Sequence, residues 1–588
     1  MYFLTTRLGS WLPKTINHLK VVALKIRRKN YTDGRVVFAL FIFLLAYLAV
    51  TYIHLKNNTV PPRWDDSWYL TNSEILFRAF QGNDVFSSMY YDVRNNNGFY
   101  LFSLFSRLLL LGGAKAPLIT LIPIPAYFIF GNGSRGLTVT YFLLIICFTW
   151  VYYKFTSSVS DRWTAILATV ITSTMPLTIG LSRVFFVEYG LMILTVLWVS
   201  LQIQSNNFRD RRFSIPLGIV LGFGMLMKVT FPVYIIGPIL WGLISVARQE
   251  NSKRKLVDIF GHFIIVLFVG IVVMSSWYVN NIHQVLSNAF NSGFGSASQN
   301  YSLGNVFNIN TLIKYWIYVV NEGVSFYYFF VLIFILIISG MKHIIHGQKT
   351  DLQLDNMGVR KQLPIFIIWF LVPFIIFSLG VNKDYRFLLP TLPALGFIIA
   401  YLIMNSFGRR SSRIILIPVL LIVPCFLFGY TSLPISASYA INLKPFLFIA
   451  PNIGYDMRPI NQIWDQQQIL LAIEQDAMKN NVNIDFPIGI IPDHEFFNPL
   501  NFMYFSIYQN LPYQFESFSP AKDQTDWTTQ RERLLRMDYL ITKTGDQCPI
   551  FACNSDITPM LLHGELPFVE VARFNLPDGS TGIIYRKK

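Results

Sequence analysis

A few ionisable side chains stand next to long apolar runs of the sequence, and their types suit acid–base chemistry beside a bound anion. Asp65 and Asp66 are adjacent in "PPRWDDSWYLTN", and Glu188 opens the apolar run that follows "LSRVFFV". A carboxylate can take the proton from an acceptor hydroxyl, which typically accelerates a reaction by about 10²–10⁴-fold. Asp65, Asp66 and Glu188 are therefore the predicted catalytic residues.

Cationic side chains occur in three other segments and could hold an anionic leaving group near these acids. Lys115 precedes "APLITLIPIPAYFIFGN", Lys228 lies in "GMLMKVTFP", and Arg386 lies in "GVNKDYRFLLP". Lysine and arginine bind phosphate through charge-assisted hydrogen bonds, and such donors stabilise a departing anion. These three residues are the predicted phosphate-binding groups. Further polar candidates are Arg183, Tyr189, Asn281, His283, Lys383 and Asp384.

Each of these residues also has a purely structural interpretation. Asp65 and Asp66 could be solvated or cap an interfacial helix, and Lys115 could extend its ammonium to the membrane interface. Glu188 could complement the dipole of the helix that it opens. Because an ionisable group at membrane depth costs about 2.5–3.5 kcal/mol, the convergence of several such groups favours a functional site.

Composition shows what kind of protein must position these groups. Of the 588 residues, 53% are hydrophobic and only 14% are charged, whereas a soluble domain carries roughly a quarter charged residues. The chain is therefore predicted to be a polytopic membrane protein. The net charge of +16 is attributed to lysine and arginine on cytoplasmic loops rather than to nucleic-acid binding.

Eleven apolar stretches are long enough to be candidate membrane spans, since a crossing needs about 20 residues. The predicted spans are 36–53, 136–153, 163–182, 189–204, 214–227, 231–247, 258–278, 324–340, 364–380, 387–405 and 413–431. A twelfth stretch, 114–132, carries three prolines and is predicted to be interfacial or re-entrant. The predicted domains are a basic segment 1–35, a membrane domain 36–431 with a long first loop 54–135, and a domain 432–588.

The distribution of lysine and arginine orients the chain. With eleven spans and an inner N-terminus, the inner segments hold twice as many lysines and arginines as the outer loops before residue 432, as the positive-inside rule requires. This places the acids, their cationic partners and residues 432–588 on the outer side. The last segment alternates strand-like and helix-like stretches and is predicted to be a small α/β domain. Cys548 and Cys553 in "CPIFAC" could form a disulfide there or remain free thiols.

The phosphate predicted for this site is a lipid phosphate. The sequence has no GxxxxGK[ST] loop and no dinucleotide-binding fingerprint after a strand. Nucleotide sugars are scarce outside the cell, so a sugar carried on a polyprenyl phosphate is the predicted donor. Membrane lipids and a lipid, glycan or protein acceptor are the other predicted partners.

Six motifs in the same order resemble those of the GT-C superfamily of integral-membrane glycosyltransferases, especially glycosyltransferase family 39. That family includes protein O-mannosyltransferases and the lipid A aminoarabinose transferase. The motifs are "WDDSWY", "AKAPLITLIPIPAYFIFG", "SRVFFVEYG", "LGFGMLMKVTFP", "SSWYVNN" and "DYRFLLPTLPAL", spread over about residues 36–430. The first resembles an acidic pair followed by a tyrosine, which here is Tyr69.

The resemblance implies a GT-C helical fold and an inverting transfer of a sugar in a bacterial plasma membrane, with Asp65 as the catalytic carboxylate. It also implies that Lys115, Lys228 and Arg386 bind the lipid phosphate and that Tyr69 lies at the donor. Asp66 stands where the family usually has glutamate.

The resemblance gives no certain cofactor. Relatives that bind metal often carry an acid just before the lysine, where this chain has Gly113 and Ala114. That difference argues against a divalent cation, although Asp65 and Glu188 remain candidate ligands of Mg²⁺ or Mn²⁺.

Two other functions remain open at this point. A transporter or flippase would use the charged groups as a substrate path, but such proteins often show repeated halves, and no repeat is evident here. An O-antigen polymerase or ligase would use a related lipid-linked donor, but it lacks this acidic-pair pattern.

Overall fold

A computed structural model describes residues 34–81, 115–249, 252–346, 357–406, 410–482, 487–511, 513–518, 527–548 and 556–588. Most of the predicted segment 1–35 and part of the predicted loop 54–135 lie outside these residues, as do Gly113, Ala114 and Cys553.

Helices make up the chain as far as Ser432. They are α1 (Gly34–Asn57), α2 (Trp64–Phe80), α3 (Leu118–Leu121), α4 (Ile124–Phe130), α5 (Ser134–Val159), α6 (Arg162–Ser173), α7 (Pro176–Leu181), α8 (Val187–Gln204), α9 (Ser214–Met227), α10 (Phe231–Gln249), α11 (Lys253–Gly293), α12 (Ser296–Gln299), α13 (Ile309–Tyr318), α14 (Phe326–His346), α15 (Met357–Leu379), α16 (Leu392–Ser406) and α17 (Arg410–Ser432). Short 3₁₀ helices cover Arg211–Phe213 and Tyr385–Thr391, and a π-helical stretch covers Val319–Val324.

The helices coincide with the predicted spans. All eleven predicted stretches are helical over most of their length. Among the described helices, seven are long and apolar enough to cross a bilayer, or eight if the pair 309–324 and 326–338, bent by 101°, counts as one span. The fold is therefore a polytopic helical membrane fold, and eleven crossings remain a prediction.

The described part of the proline-rich stretch, 115–132, folds into short helices, and its interfacial or re-entrant position remains a prediction. It forms α3 and α4, of only 4 and 7 residues, with Pro123 as the N-cap of α4 and Pro125 in its first turn. Proline fits the first turn of a helix, where its missing N–H leaves no bond unmade, but interrupts a longer helix. This stretch is thus not one continuous spanning helix.

One boundary prediction is wrong. The seventh predicted span ends at residue 278, but α11 continues to Gly293, so Asn281 and His283 of the segment "SSWYVNNIHQ" lie inside the helix and not in a loop. The segment contains no glycine or proline before that point, and the Asn281 amide donates to the Trp277 carbonyl one turn back at 3.0 Å. A local bond of this kind lets a polar residue stay within a helix.

The chain after Ser432 forms a mixed sheet with helices, which confirms the predicted α/β domain. Its elements are β1 (Ile441–Leu443), β2 (Phe446–Ile449), α18 (Gln466–Lys479), β3 (Pro487–Ile490), α19 (Pro499–Tyr508), β4 (Gln514–Ser517), α20 (Trp527–Leu534), β5 (Tyr539–Lys543), α21 (Ile557–Leu562), β6 (Phe568–Asn575) and β7 (Thr581–Lys587). β1 and β2 pair separately, and the five-stranded sheet has the order β4-β3-β5-β7-β6. β3 is parallel to β4 and β5, and β7 is antiparallel to β5 and β6.

Local sequence signals explain the element of this domain that reaches the membrane helices. Asn498 caps α19, its side chain accepting from the Asn501 N–H while Asn501 bonds back to the Asn498 N–H, and Pro499 occupies the first helical position. The Asn501 amide also donates to the Pro62 carbonyl and to the Ser67 hydroxyl. α19 therefore packs directly on α2, the helix that carries the acidic pair.

The membrane helices share one continuous apolar core. It is built from buried side chains of α5, α6, α7, α8 and α16, including Trp198 and Tyr152, neither of which is exposed. Tyr152 donates to the Pro393 carbonyl at the start of α16, so its polar atom is satisfied. This core fixes the starts of α8 and α16, next to which the predicted site residues lie.

Candidate active site

The acidic pair lies in the first turn of α2. Arg63 is the extended N-cap residue, and Asp65 and Asp66 follow in the first turn, where negative charge is favourable. Adjacent residues of a helix point about 100° apart because the helix has 3.6 residues per turn. The two carboxylates consequently have different neighbours.

Asp65 is held between two cations from distant parts of the chain. The Lys115 ammonium donates to Asp65 Oδ1 at 2.6 Å, and the Arg386 guanidinium donates to Asp65 Oδ2 at 3.1 Å. Burial would raise the pKa of the Asp65 carboxyl, but these two cations outweigh burial and hold it well below its ordinary value. Asp65 is therefore an ionised carboxylate that remains 31% exposed.

Arg386 links Asp65 to two further acids. Its Nε lies 2.9 Å from Asp384 Oδ2 and 3.6 Å from Glu188 Oε1. The local fold fixes this position, because Asp384 is the N-cap of the 3₁₀ helix Tyr385–Thr391 and accepts the Arg386 backbone N–H at 3.0 Å. Asp384 thus binds both the backbone and the side chain of Arg386.

Glu188 and Lys228 form a second ion pair beside Arg386. The Lys228 ammonium donates to Glu188 Oε1 at 2.6 Å, and it lies 4.3 Å from the centre of the Phe387 ring. Lys228 occupies the turn between α9 and α10, as predicted. The Glu188 side chain is only 1% exposed, and its Oε2 accepts no hydrogen bond from the described residues. A buried carboxylate oxygen without a donor is costly, so the ion pair with Lys228 is what compensates the charge of Glu188.

The structure brings five of the predicted catalytic and phosphate-binding residues together with Asp384 into one group of acids and cations. We refer to Asp65, Lys115, Glu188, Lys228, Asp384 and Arg386 as the Asp65 cluster; it holds three acids and three cations. Tyr69 lies at its edge, with its ring centre 5.3 Å from the Lys115 ammonium. Asp384 was predicted only as a further polar candidate. Its position two residues before Arg386 is a helix-capping signal from which its contact could have been predicted.

Asp66 lies on another side of α2, away from the ion pairs of the Asp65 cluster. Its carboxylate accepts the Phe185 N–H at 3.2 Å and lines a cavity of about 200 Å³. Burial raises the pKa of Asp66 to about 7. Asp66 therefore connects α2 to the segment just before Glu188.

The raised pKa of Asp66 predicts how thermal stability depends on pH. The neutral carboxyl is favoured in the folded protein, so the folded state holds more protons than the unfolded state between about pH 4 and pH 7. Asp66 therefore makes the free energy of unfolding fall as pH rises through that window. We expect the Tm of purified Asp66→Asn protein, relative to the Tm of wild type, to increase from pH 4 to pH 8. Parallel Tm curves would contradict the assignment.

The remaining predicted residues lie elsewhere, and no observation here assigns them a catalytic role. Arg183 pairs with Asp456 of the C-terminal domain at 3.5 Å. Tyr189 is buried with its ring 5.9 Å from that of Phe148. Asn281 and His283 are on α11, where His283 is exposed. Cys548 is disulfide-bonded, and its predicted partner Cys553 lies outside the described residues.

The two candidate metal ligands do not fit a divalent cation. Both oxygens of Asp65 accept hydrogen bonds from cations, and Glu188 Oε1 accepts one from Lys228. A dication placed between them would face three positive side chains. Within the described part of the chain, no group of three or more His, Cys, Asp or Glu side chains could hold a metal ion.

Comparisons with known proteins define the class of this fold. Residues 114–277 match the family model of dolichyl-phosphate-mannose-protein mannosyltransferases. A comparison with curated protein sequences gives no match. Among solved structures, ArnT from Cupriavidus metallidurans bound to undecaprenyl phosphate has a TM-score of 0.53 at 13% identity, covering 93% of this chain and 97% of ArnT.

Two other structures agree with this result. ArnT in the apo state has a TM-score of 0.53 at 12% identity, covering 93% of this chain and 98% of ArnT. The arabinofuranosyltransferase AftD from Mycobacteria has a TM-score of 0.52 at 12% identity, covering 93% of this chain and 40% of AftD. This chain therefore shares the fold of ArnT and AftD, which confirms the GT-C helical fold predicted from the sequence.

Proposed function

We propose that this protein transfers a sugar from a polyprenyl-phosphate donor to an acceptor hydroxyl, with inversion at the anomeric carbon. The observation that carries the proposal is the position of Asp65, a partly exposed carboxylate between the Lys115 ammonium at 2.6 Å and the Arg386 guanidinium at 3.1 Å. A base flanked by phosphate-binding cations is the pairing that this reaction needs.

The cations explain how donor binding would activate the base. In the donor-free protein, Lys115 and Arg386 hold the pKa of Asp65 down, which makes the carboxylate a weak base. A donor phosphate competes for the same two cations through charge-assisted hydrogen bonds. Asp65 then loses part of its stabilisation, and its proton affinity rises only once the donor is in place.

In the transfer step, the Asp65 cluster supplies both the base and the cations that bind the leaving group. Asp65 takes the proton of the acceptor hydroxyl while the acceptor oxygen forms a bond to the anomeric carbon. The bond from that carbon to the phosphate oxygen breaks, and its electrons leave with the polyprenyl phosphate. Lys115, Lys228 and Arg386 hold the departing anion. Glu188 positions Lys228 through their ion pair.

The proposal includes the side of the membrane on which the site lies, the acceptor and the class of donor lipid. Twice as many lysines and arginines lie in the segments assigned to the inner side as in the outer loops before residue 432, which supports a site on the extracytoplasmic face of a bacterial plasma membrane. The acceptor is a lipid, a glycan or a protein. The solved ArnT structure contains undecaprenyl phosphate, which supports a donor of this lipid class.

A transfer assay with purified protein tests this function. Wild-type protein in detergent is incubated with radiolabelled polyprenyl-phosphate sugars and membrane extract as the acceptor source. We expect donor consumption with a labelled product that depends on the protein. No consumption of any lipid-linked donor, together with passage of a solute across proteoliposomes, would overturn the proposal in favour of a transporter.

The same assay tests the requirement for metal. Because Asp65 and Glu188 already pair with cations, we expect transfer to persist in excess EDTA. Loss of transfer in EDTA, with recovery on addition of Mg²⁺ or Mn²⁺, would show that a cation belongs to the mechanism.

A further inference from the structure

A tight turn of the C-terminal domain reaches the membrane helices beside the Asp65 cluster. In residues Ile453 to Asp456, the Ile453 N–H donates to the Asp456 carbonyl at 2.8 Å, and the Asp456 N–H donates to the Ile453 carbonyl at 3.0 Å. Gly454 has a φ of +59°, and a Cβ there would lie 2.0 Å from the Tyr385 hydroxyl. The turn therefore needs glycine at this position to approach Tyr385.

Three contacts fix the turn to the membrane domain. Asp456 pairs with Arg183 at 3.5 Å and accepts the Thr431 hydroxyl at 2.8 Å, and both side chains of the ion pair are 2% exposed. On the other side, a Cβ on Gly180 would lie 2.4 Å from the Tyr455 carbonyl carbon. The turn is thus in close contact with α7 and with the segment that follows it.

The turn held in this way brings the Tyr455 hydroxyl within hydrogen-bonding distance of the Asp384 carboxylate. The hydroxyl lies 3.3 Å from Oδ2 and 3.4 Å from Oδ1 of Asp384. The Tyr455 ring lies 6.0 Å from the Phe186 ring at 88° and 5.5 Å from the Tyr385 ring. Catalytic hydrogen bonds are often long in substrate-free structures and shorten in the complex, so this geometry suits a contact that tightens on donor binding.

A continuous series of polar contacts then leads to the base. Tyr455 contacts Asp384, Asp384 holds the backbone and the Nε of Arg386, and Arg386 donates to Asp65. Each step joins side chains within 3.5 Å. The hydroxyl of Tyr455 therefore restrains the carboxylate that sets the orientation of Arg386.

We propose that Tyr455 is a positioning residue, through which the C-terminal domain fixes Asp384 and hence the guanidinium of Arg386 for the donor phosphate. The inference rests on the proposed function and deepens it, because it makes the turn at 453–456 part of the donor site. The tyrosine acts through Asp384 and need not touch the sugar or the phosphate.

The test compares Tyr455→Phe with wild type in the transfer assay. Loss of the hydroxyl is expected to raise the KM for the donor by about 3- to 10-fold, the range for one lost hydrogen bond, with the acceptor KM unchanged. Tyr439→Phe is the matched control, because Tyr439 belongs to the same domain and is 72% exposed; it should behave as wild type.

Two further variants separate positioning from general damage to the fold. Asp456→Asn weakens the anchor of the turn but keeps the hydroxyl, and it should raise the donor KM in the same direction. In the double variant Tyr455→Phe/Asp384→Asn, the donor KM should rise by less than the product of the two single-variant increases, because both substitutions disturb the same series of contacts. Melting curves establish that each protein is folded.

The outcomes distinguish this inference from the proposed function. If wild type shows no transfer, the proposed function fails. If wild type transfers but Tyr455→Phe has an unchanged donor KM, or if its effect multiplies fully with that of Asp384→Asn, the positioning role of Tyr455 is wrong while the proposed function stands.

Discussion

Replacing Asp65 with asparagine is expected to reduce the kcat of sugar transfer by about 10²–10⁴-fold, the usual contribution of a general base. Asparagine is nearly the same size, and its amide oxygen can still accept a hydrogen bond from Lys115 or Arg386, but its amide cannot take a proton from the acceptor hydroxyl. The measurement is the initial rate of transfer from a radiolabelled polyprenyl-phosphate sugar by purified protein. Normal transfer by a folded Asp65→Asn protein would show that another group is the base.

Donor binding separates a lost base from a damaged site. Asparagine has no negative charge to compete with the phosphate for Lys115 and Arg386, so Asp65→Asn should bind polyprenyl phosphate at least as tightly as wild type. Asp258→Asn is the matched control, since Asp258 is an exposed aspartate near the start of α11. Its kcat and its donor binding should equal those of wild type.

Replacing Arg386 with glutamine is expected to weaken donor binding by more than 10-fold and to lower the melting temperature. Arg386 is 13% exposed and lies against three carboxylates, Asp65, Asp384 and Glu188. Removing one partner of a buried ion pair costs about 3–5 kcal/mol, because the remaining charge has no compensation. Binding of polyprenyl phosphate and the Tm are the two measurements.

A double variant shows whether the two effects of Arg386→Gln have separate causes. Asp65 keeps Lys115 and Glu188 keeps Lys228, so Asp384 is the acid that Arg386→Gln leaves without its cation. Adding Asp384→Asn removes this charge and should restore part of the Tm without restoring donor binding. Arg211→Gln, in an exposed 3₁₀ turn, is the control for removal of an arginine. Recovery of donor binding in the double variant would mean that Arg386 only balances charge and does not bind the phosphate.

The fold could be predicted from the sequence wherever composition alone determines it. Apolar runs of about 20 residues have few alternatives to a helix in or near a membrane, and the prolines of 114–132 predict its short helices. The end of α11 could not be predicted this way. Polar residues such as Asn281 and His283 fit a loop and a solvent-exposed helix equally well, and the structure shows that this helix continues beyond the predicted membrane span.

The site could be predicted in part, because membrane proteins seldom place charges near apolar runs without a partner. That argument brought Asp65, Lys115, Glu188, Lys228 and Arg386 together, but it could not separate Asp65 from Asp66. Their separation follows from the rotation of α2 and from the packing of the Phe185 N–H on Asp66. No sequence pattern pointed to Tyr455, since its contact with Asp384 forms only where the C-terminal domain packs on the membrane helices.

The equal numbers of acids and cations in the Asp65 cluster have a consequence for turnover. In the proposed reaction the donor is a phosphodiester with one negative charge, whereas the product is a phosphomonoester, which carries about −1.5 to −2 at neutral pH. Asp65 also holds the acceptor proton at that point, so the cluster has become more positive. If the proposed reaction is correct, we expect the carrier lipid left after transfer to bind more tightly than the donor until Asp65 gives up its proton.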